Sequence, residues 1–257
     1  MRRFRLHLLL LSLSVSVQAQ TPPSDPQALA LAAQSVAAMT SGTTISDITL
    51  SGTVVRTVGS DQQSGTATLL AKGFGESRVD LNLSAGNRSE IHNVNGNPNE
   101  GNWIGPDGSV NAIALHNCFT DASWFFPALG TLGAGGGNPN VVLSYIGLEN
   151  LGQFTLQHVH AYTYDPNLPA AQQLSAIDFY LDQQTLLPQV VTFNEHPDSD
   201  QTIDIAVQIV FSDYRNSNGA AIPFHIQRFV NNNLMLDIQL ASATLNSGIS
   251  DSQFAVQ

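Results

Sequence analysis

Two hydrophobic periods divide the chain. In SDPQALALAAQSVAAMTSG, residues 24–42, Leu29, Ala32, Val36 and Met39 recur at three- and four-residue spacing, the period of one helix face. Ser24 or Asp25 can cap this helix, Pro26 suits its first turn and Gly42 suits its exit. Beyond Gly42 the period becomes two. Ile48, Leu50, Val54 and Val58 alternate with Thr49, Ser51, Val55 and Thr57, and Val79, Leu81 and Leu83 with Asp80 and Asn82. Near the other end, Ile203, Ile205, Val207, Ile209 and Phe211 form one alternating set, and Leu234, Leu236, Ile238 and Leu240 another. Alternation of this kind marks antiparallel strands with one buried and one wet face.

Turn signals punctuate the strands. Asn216-Ser217-Asn218-Gly219 and Asn231-Asn232-Asn233 are short enough for hairpins, and residues 183–188 separate IDFYLD from QVVTF. Residues 177–245 therefore predict a meander of about five strands, and residues 44–105 another of four or five. Two segments interrupt the sheet. PNLPAAQQLSA, residues 166–176, reads as a short helical turn. TDASWFFPALGTLG, residues 120–133, reads as a turn capped by Asp121, a short helix starting at Pro127 and then a flexible glycine loop, residues 133–137. Laid across a highly curved antiparallel sheet, an incomplete β-barrel, these segments become lid helices over the concave face, with Trp124, Phe125 and Phe126 on the underside.

The N-terminus changes the picture of where the protein works. Arg2, Arg3 and Arg5 precede an apolar run ending in Val17-Gln18-Ala19, a secretory signal peptide expected over residues 1–19. Residues 20–257 are expected to form a single exported domain, periplasmic or secreted, with no later stretch apolar enough to span a bilayer. Cleavage would leave six basic residues against 20 acidic ones, a formal charge of −14. Such a surface repels nucleic acid. Cys118, the single cysteine, cannot close an intrachain bridge and is expected to be buried.

The order of elements resembles the LolA-like superfamily of periplasmic lipoprotein carriers. The residues that carry the resemblance are IDFYLDQQTLLPQVVTF, residues 177–193, and IVFSDYRNSNGAAIPFHIQRFVNNNLMLDIQLASATLNSGISDSQF, residues 209–254. LSGTVV at residues 50–55 and GPDG at residues 105–108 are less specific. The resemblance implies an N-terminal helix, an incomplete barrel and a cavity for an acyl chain or other apolar ligand. Arg56, at the end of a predicted strand, is a candidate position for the carriers' functional arginine.

The expected function is thus binding, and possible carriage, of a hydrophobic small molecule or lipid in a half-barrel cavity, with no enzymatic activity and no cofactor. Trp124, Phe125, Phe126 and Leu129 would form the lid; Ile205, Val207, Ile209, Phe224 and Leu236 are candidates for the floor. An interaction module with a filled core, serving another envelope protein, is the alternative. A third reading is a metalloenzyme. His158 and His160 share a strand face and could hold a metal with His92, His116 or His225, although Phe154, Leu156 and Tyr162 on that face point to packing. Asp198, Asp200 and Asp204 lack the glycine bend and distal carboxylate of a calcium loop and read as a solvated turn. Nucleophile-elbow, HExxH and phosphate-loop patterns are absent.

Overall fold

The computed structural model describes residues 21–93 and 100–256; the expected signal peptide lies outside them. Helix α1 (Pro26–Thr40) starts where the Asp25 carboxylate accepts a bond from the Gln27 N–H, and it ends at Ser41 in the left-handed region. Its buried face is Ala28, Leu31, Ala32, Ser35 and Met39. Leu29 and Val36, expected on that face with Ala32 and Met39, sit at its margin. The face turns because Ala28, Ala32 and Ser35 let the helix backbone lie close to the sheet, with the larger side chains flanking the contact.

Thirteen strands follow. β1 to β6 are Asp47–Val58, Asp61–Lys72, Glu76–Leu83, Gly86–Asn93, Glu100–Ile104 and Val110–Ala112. β7 to β13 are Val141–Leu151, Phe154–Thr163, Ile177–Asp182, Pro188–Glu195, Ile205–Ser217, Ala220–Val230 and Asn233–Leu245. Both predicted meanders are present with five strands each. They join through β1 and β13 into one antiparallel sheet, ordered β6-β5-β4-β3-β2-β1-β13-β12-β11-β10-β9-β8-β7 and not closed into a barrel. The asparagine turns supply the hairpins. Asn218 and Gly219 have φ of 52° and 89°, Asn231 and Asn232 of 46° and 62°. Paired left-handed residues match the twist of the strands they join.

The inward face follows the alternation: Ile48, Leu50 and Val54; Val79, Leu81 and Leu83; Val207, Ile209 and Phe211; Leu236, Ile238 and Leu240 all enter one core cluster with α1. Four expected members fall outside it. Val58 is exposed at the end of β1, and Ile203 precedes β11 in an exposed turn. Ile205 and Leu234 are only partly buried near the starts of β11 and β13. The outward face is also covered in one place, where the C-terminal turn (Asp251–Phe254) lies over β3 and β4, burying Phe254 and Ile91.

Curvature is evident from which strands meet. β4 and β12 lie five positions apart in the sheet, ~24 Å if it were flat. Yet side chains of both line one cavity.

The two insertions lie as short helices. Helix α2 (Thr131–Ala134) follows a 3-10 turn at Pro127–Leu129, and helix α3 (Ala171–Leu174) precedes β9. Residues 133–137 are thus not simply a loop. Gly133 lies within α2, where a Cβ would collide with the Ala128 carbonyl; the glycine allows that close approach.

Candidate functional site

A cavity of about 240 Å³ opens between the two halves of the sheet. Two rows of side chains face it. Val79 of β3 pairs with Glu90 of β4, which pairs with Trp103 of β5. Across the opening, Arg56 of β1 and Arg228 of β12 both pair with Leu236 of β13, placing the two arginines two strand spacings apart, ~10 Å. Leu81, Arg88 and Trp124 complete the wall. A larger groove of about 330 Å³, between α1 and Ala128, has no charged side chain in its lining and does not reach the inward sheet face.

Trp124 is 4% exposed. It stands edge-on to Phe125, ring centres 5.5 Å apart, and the Arg228 guanidinium lies 5.2 Å from its ring centre. Asp121 holds the segment in shape. Its carboxylate accepts bonds from the backbone N–H groups of Ser123 (3.0 Å) and Thr131 (2.8 Å), the cap expected of it. Burial pushes the Asp121 carboxyl above its usual range despite these bonds.

Charge at the cavity is unevenly paired. Arg228 forms an ion pair with Glu195, and Glu90 bonds to His92 at 3.0 Å. Burial would raise the Glu90 carboxyl, but the His92 bond and the nearby Arg228 charge bring it down to about 2. Arg56 and Arg88 have no ion pair among the described residues. Burial and the like charge of Arg88 both lower the Arg56 pKa, and Asp61 only partly opposes them. The Arg88 Nε is shielded from solvent without a hydrogen-bond partner among the described residues.

Of the nine residues expected to meet a ligand, Trp124 and Leu236 line this cavity. Phe125, Phe126, Leu129, Val207, Ile209 and Phe224 lie in the core cluster beside it, with the Arg215 guanidinium 4.6 Å from the Phe224 ring centre. Ile205 is partly buried at the start of β11. Alternation did not single out Arg88, Glu90, Trp103 or Arg228. One signal was readable for Arg228: it continues the inward series Ile222, Phe224, Ile226, so a charge there has to face the interior.

His158 and His160 do share a face, opposite the core residues Val159 and Ala161. His158 sits between Glu149 (2.6 Å) and Asp178 (2.7 Å), and His160 bonds the same Asp178 at 2.9 Å. Tyr180 stacks on His158 with ring centres 4.4 Å apart. Leu156 is buried, as packing requires, whereas Phe154 is exposed. No metal-holding group of three or more His, Cys, Asp or Glu occurs among the described residues, so the third histidine needed for a metal site is not brought in. His225 bonds Asp237, and His116 stands edge-on to His196. Asp200 accepts bonds from the Thr202 N–H and hydroxyl, an ordinary turn. Cys118 is buried, its thiol pushed up to about 11 mainly by that burial.

No protein-family model and no curated protein matches the chain. Solved structures do. A domain assigned as an outer membrane lipoprotein-sorting protein from Vibrio parahaemolyticus aligns with a TM-score of 0.57 at 11% identity, over 88% of this chain and 95% of that one. A LolA superfamily protein from Nitrosomonas europaea gives 0.54 at 10% identity, over 89% and 97%. The fold is LolA-like. A DUF1329 family protein from Desulfovibrio piger shares it, with a TM-score of 0.57 at 12% identity over 92% and 100%. Identities this low carry the LolA-like architecture and leave the site to be argued from its own residues. No helix among the described residues is long and apolar enough to cross a membrane.

Proposed function

We propose that this is an exported, non-enzymatic binding protein, periplasmic or secreted, that holds a lipid or acyl chain between its curved sheet and the Trp124 segment, and that it acts as a carrier. The observation that supports this most directly is Trp124 itself. A large aromatic ring faces a cavity whose apolar lining includes Val79, Leu81 and Leu236. Each ligand methylene buried there contributes ~0.8 kcal/mol without needing a specific polar partner.

The resting cavity is small. Its 240 Å³ falls below the ~300–1,000 Å³ usual for a ligand pocket, so a long chain requires the segment at residues 120–134 to lift. Lifting it would uncover Phe125, Phe126 and Leu129, with Val207, Ile209 and Phe224 behind them and Ile205 at the rim. A rival reading, an envelope interaction module with a filled core, draws on the complete burial of Phe125 and Phe126. Native mass spectrometry of the mature protein, purified without detergent from an export compartment, separates the two. About one equivalent of extractable lipid is expected. A bare protein that also takes up no fluorescent fatty acid would overturn the binding function in favour of the filled core.

A further inference from the structure

Half of the basic residues that follow residue 20 line one cavity of this acidic chain. Only six follow residue 20. Lys72, Arg78 and Arg215 pair with Asp251, Asp80 and Asp213 outside the cavity, while Arg56, Arg88 and Arg228 all line it. Arg228 is already committed to Glu195. Arg56 and Arg88 are close enough for their charges to repel and neither is neutralised by an ion pair among the described residues. Two carboxylates whose charges they feel are hydrogen-bonded elsewhere: Asp61 accepts from the Gln63 amide at 2.6 Å, and Asp107 from the Ser109 N–H at 3.0 Å. Glu90, the one carboxylate lining the cavity among the described residues, is bonded to His92. Two unneutralised guanidinium groups beside an apolar wall are what an anion with an apolar tail would satisfy.

We propose that Arg56 and Arg88 form a headgroup site, and that the ligand is an anionic amphiphile, an acyl or alkyl chain ending in a phosphate or carboxylate. The proposal rests on the binding function above and specifies the ligand class. The net charge of the protein argues for an amphiphile over a free anion. A field of this sign steers small anions away, so the tail has to supply the driving force and the arginines the selection.

Trp103 and Trp124, the two tryptophans of the chain, both line the cavity, so their emission reports occupancy without a label. The mature protein is titrated with octyl phosphate, octanoate, octanol and inorganic phosphate. Both anionic amphiphiles are expected to bind roughly ten-fold or more tightly than octanol, with inorganic phosphate far weaker. Arg56→Gln/Arg88→Gln should bring the ratio of anionic to neutral affinity close to one, whereas Lys72→Gln/Arg215→Gln, the same loss of two charges away from the cavity, keeps it. Should circular dichroism show the cavity double variant unfolded, Arg56→Gln and Arg88→Gln singly are each expected to reduce the ratio about three-fold. Equal affinities for octyl phosphate and octanol, or a ratio that survives these substitutions, would overturn the headgroup site and leave the apolar cavity standing. Inorganic phosphate binding as tightly as octyl phosphate would overturn the amphiphile in favour of a free anion. No emission change with any of the four would remove the cavity as a binding site, and the headgroup with it.

Discussion

The Arg228 guanidinium lies against the Trp124 ring while pairing with Glu195. One buried side chain thereby ties the lid segment to the rim of β10 and β12. Arg228→Met breaks the ion pair and the cation–π contact together, leaving Glu195 facing a partly enclosed site. Removing one partner of a buried pair costs ~3–5 kcal/mol; with the Glu195 side chain 30% exposed, solvent screening brings the expectation to ~1–3 kcal/mol. Urea unfolding measures it. Arg228→Met/Glu195→Gln should recover part of the loss, because residue 195 no longer carries an unpaired charge.

Trp124 and Phe126 should separate binding from packing. Phe126 is completely buried in the core, and Phe126→Ala is expected to cost ~3–5 kcal/mol. Trp124→Phe removes less volume from a ring that borders open space. It should reduce retention of a bound lipid by native mass spectrometry while shifting the unfolding midpoint less than Phe126→Ala does. Equal retention would count against the lid role.

The sheet was legible because alternation and turn signals are local: they predict about five strands over residues 177–245 and four or five over residues 44–105, and each stretch holds five. The cavity was less so, for a physical reason. On β4 the inward positions 88, 90 and 92 are Arg, Glu and His, while the outward Ile91 is buried under the C-terminal turn. The pattern there inverts the usual rule, and no local signal reveals that residues 249–254 return to cover that face. Nor does spacing show that β4 curls round to β12. Arginines at inward parity, Arg56 after Val54 and Arg228 after Ile226, were the available sign.

Acid should weaken the fold through Asp178 and Glu90. Burial alone would raise both carboxyls. Hydrogen bonds from His160 and His158 hold Asp178 below its usual value, and His92 with Arg228 holds Glu90 at about 2. A carboxyl with a depressed folded-state pKa contributes stability that is fully present above its unfolded value, near ~4, and is lost as pH falls through the folded value. The melting-temperature advantage of the natural protein over Asp178→Asn should therefore shrink as pH falls below about 4. Asp121 runs the other way. Its raised carboxyl favours folding while protonated, and that contribution fades as pH climbs through its folded value.

Gly133 sets how closely the lid folds on itself, and changing it tests the lid without touching the cavity wall. A Cβ at this position would collide with the Ala128 carbonyl, a backbone atom that cannot rotate aside as a side-chain tip could. Gly133→Ala must then displace either α2 or the Pro127–Leu129 turn. Either shift strains the Asp121 bond to the Thr131 N–H and moves the packing around Phe125 and Trp124. The expected result is a loss of ~1–3 kcal/mol, the range for overpacking a close contact, with a red-shifted tryptophan emission as the Trp124 site opens to water. Gly136→Ala, where a Cβ meets nothing within 4 Å, should leave both unchanged. If Gly133→Ala also leaves the emission unchanged, the lid is not held by this approach, and Asp121 and the Arg228 contact with Trp124 would have to account for its placement.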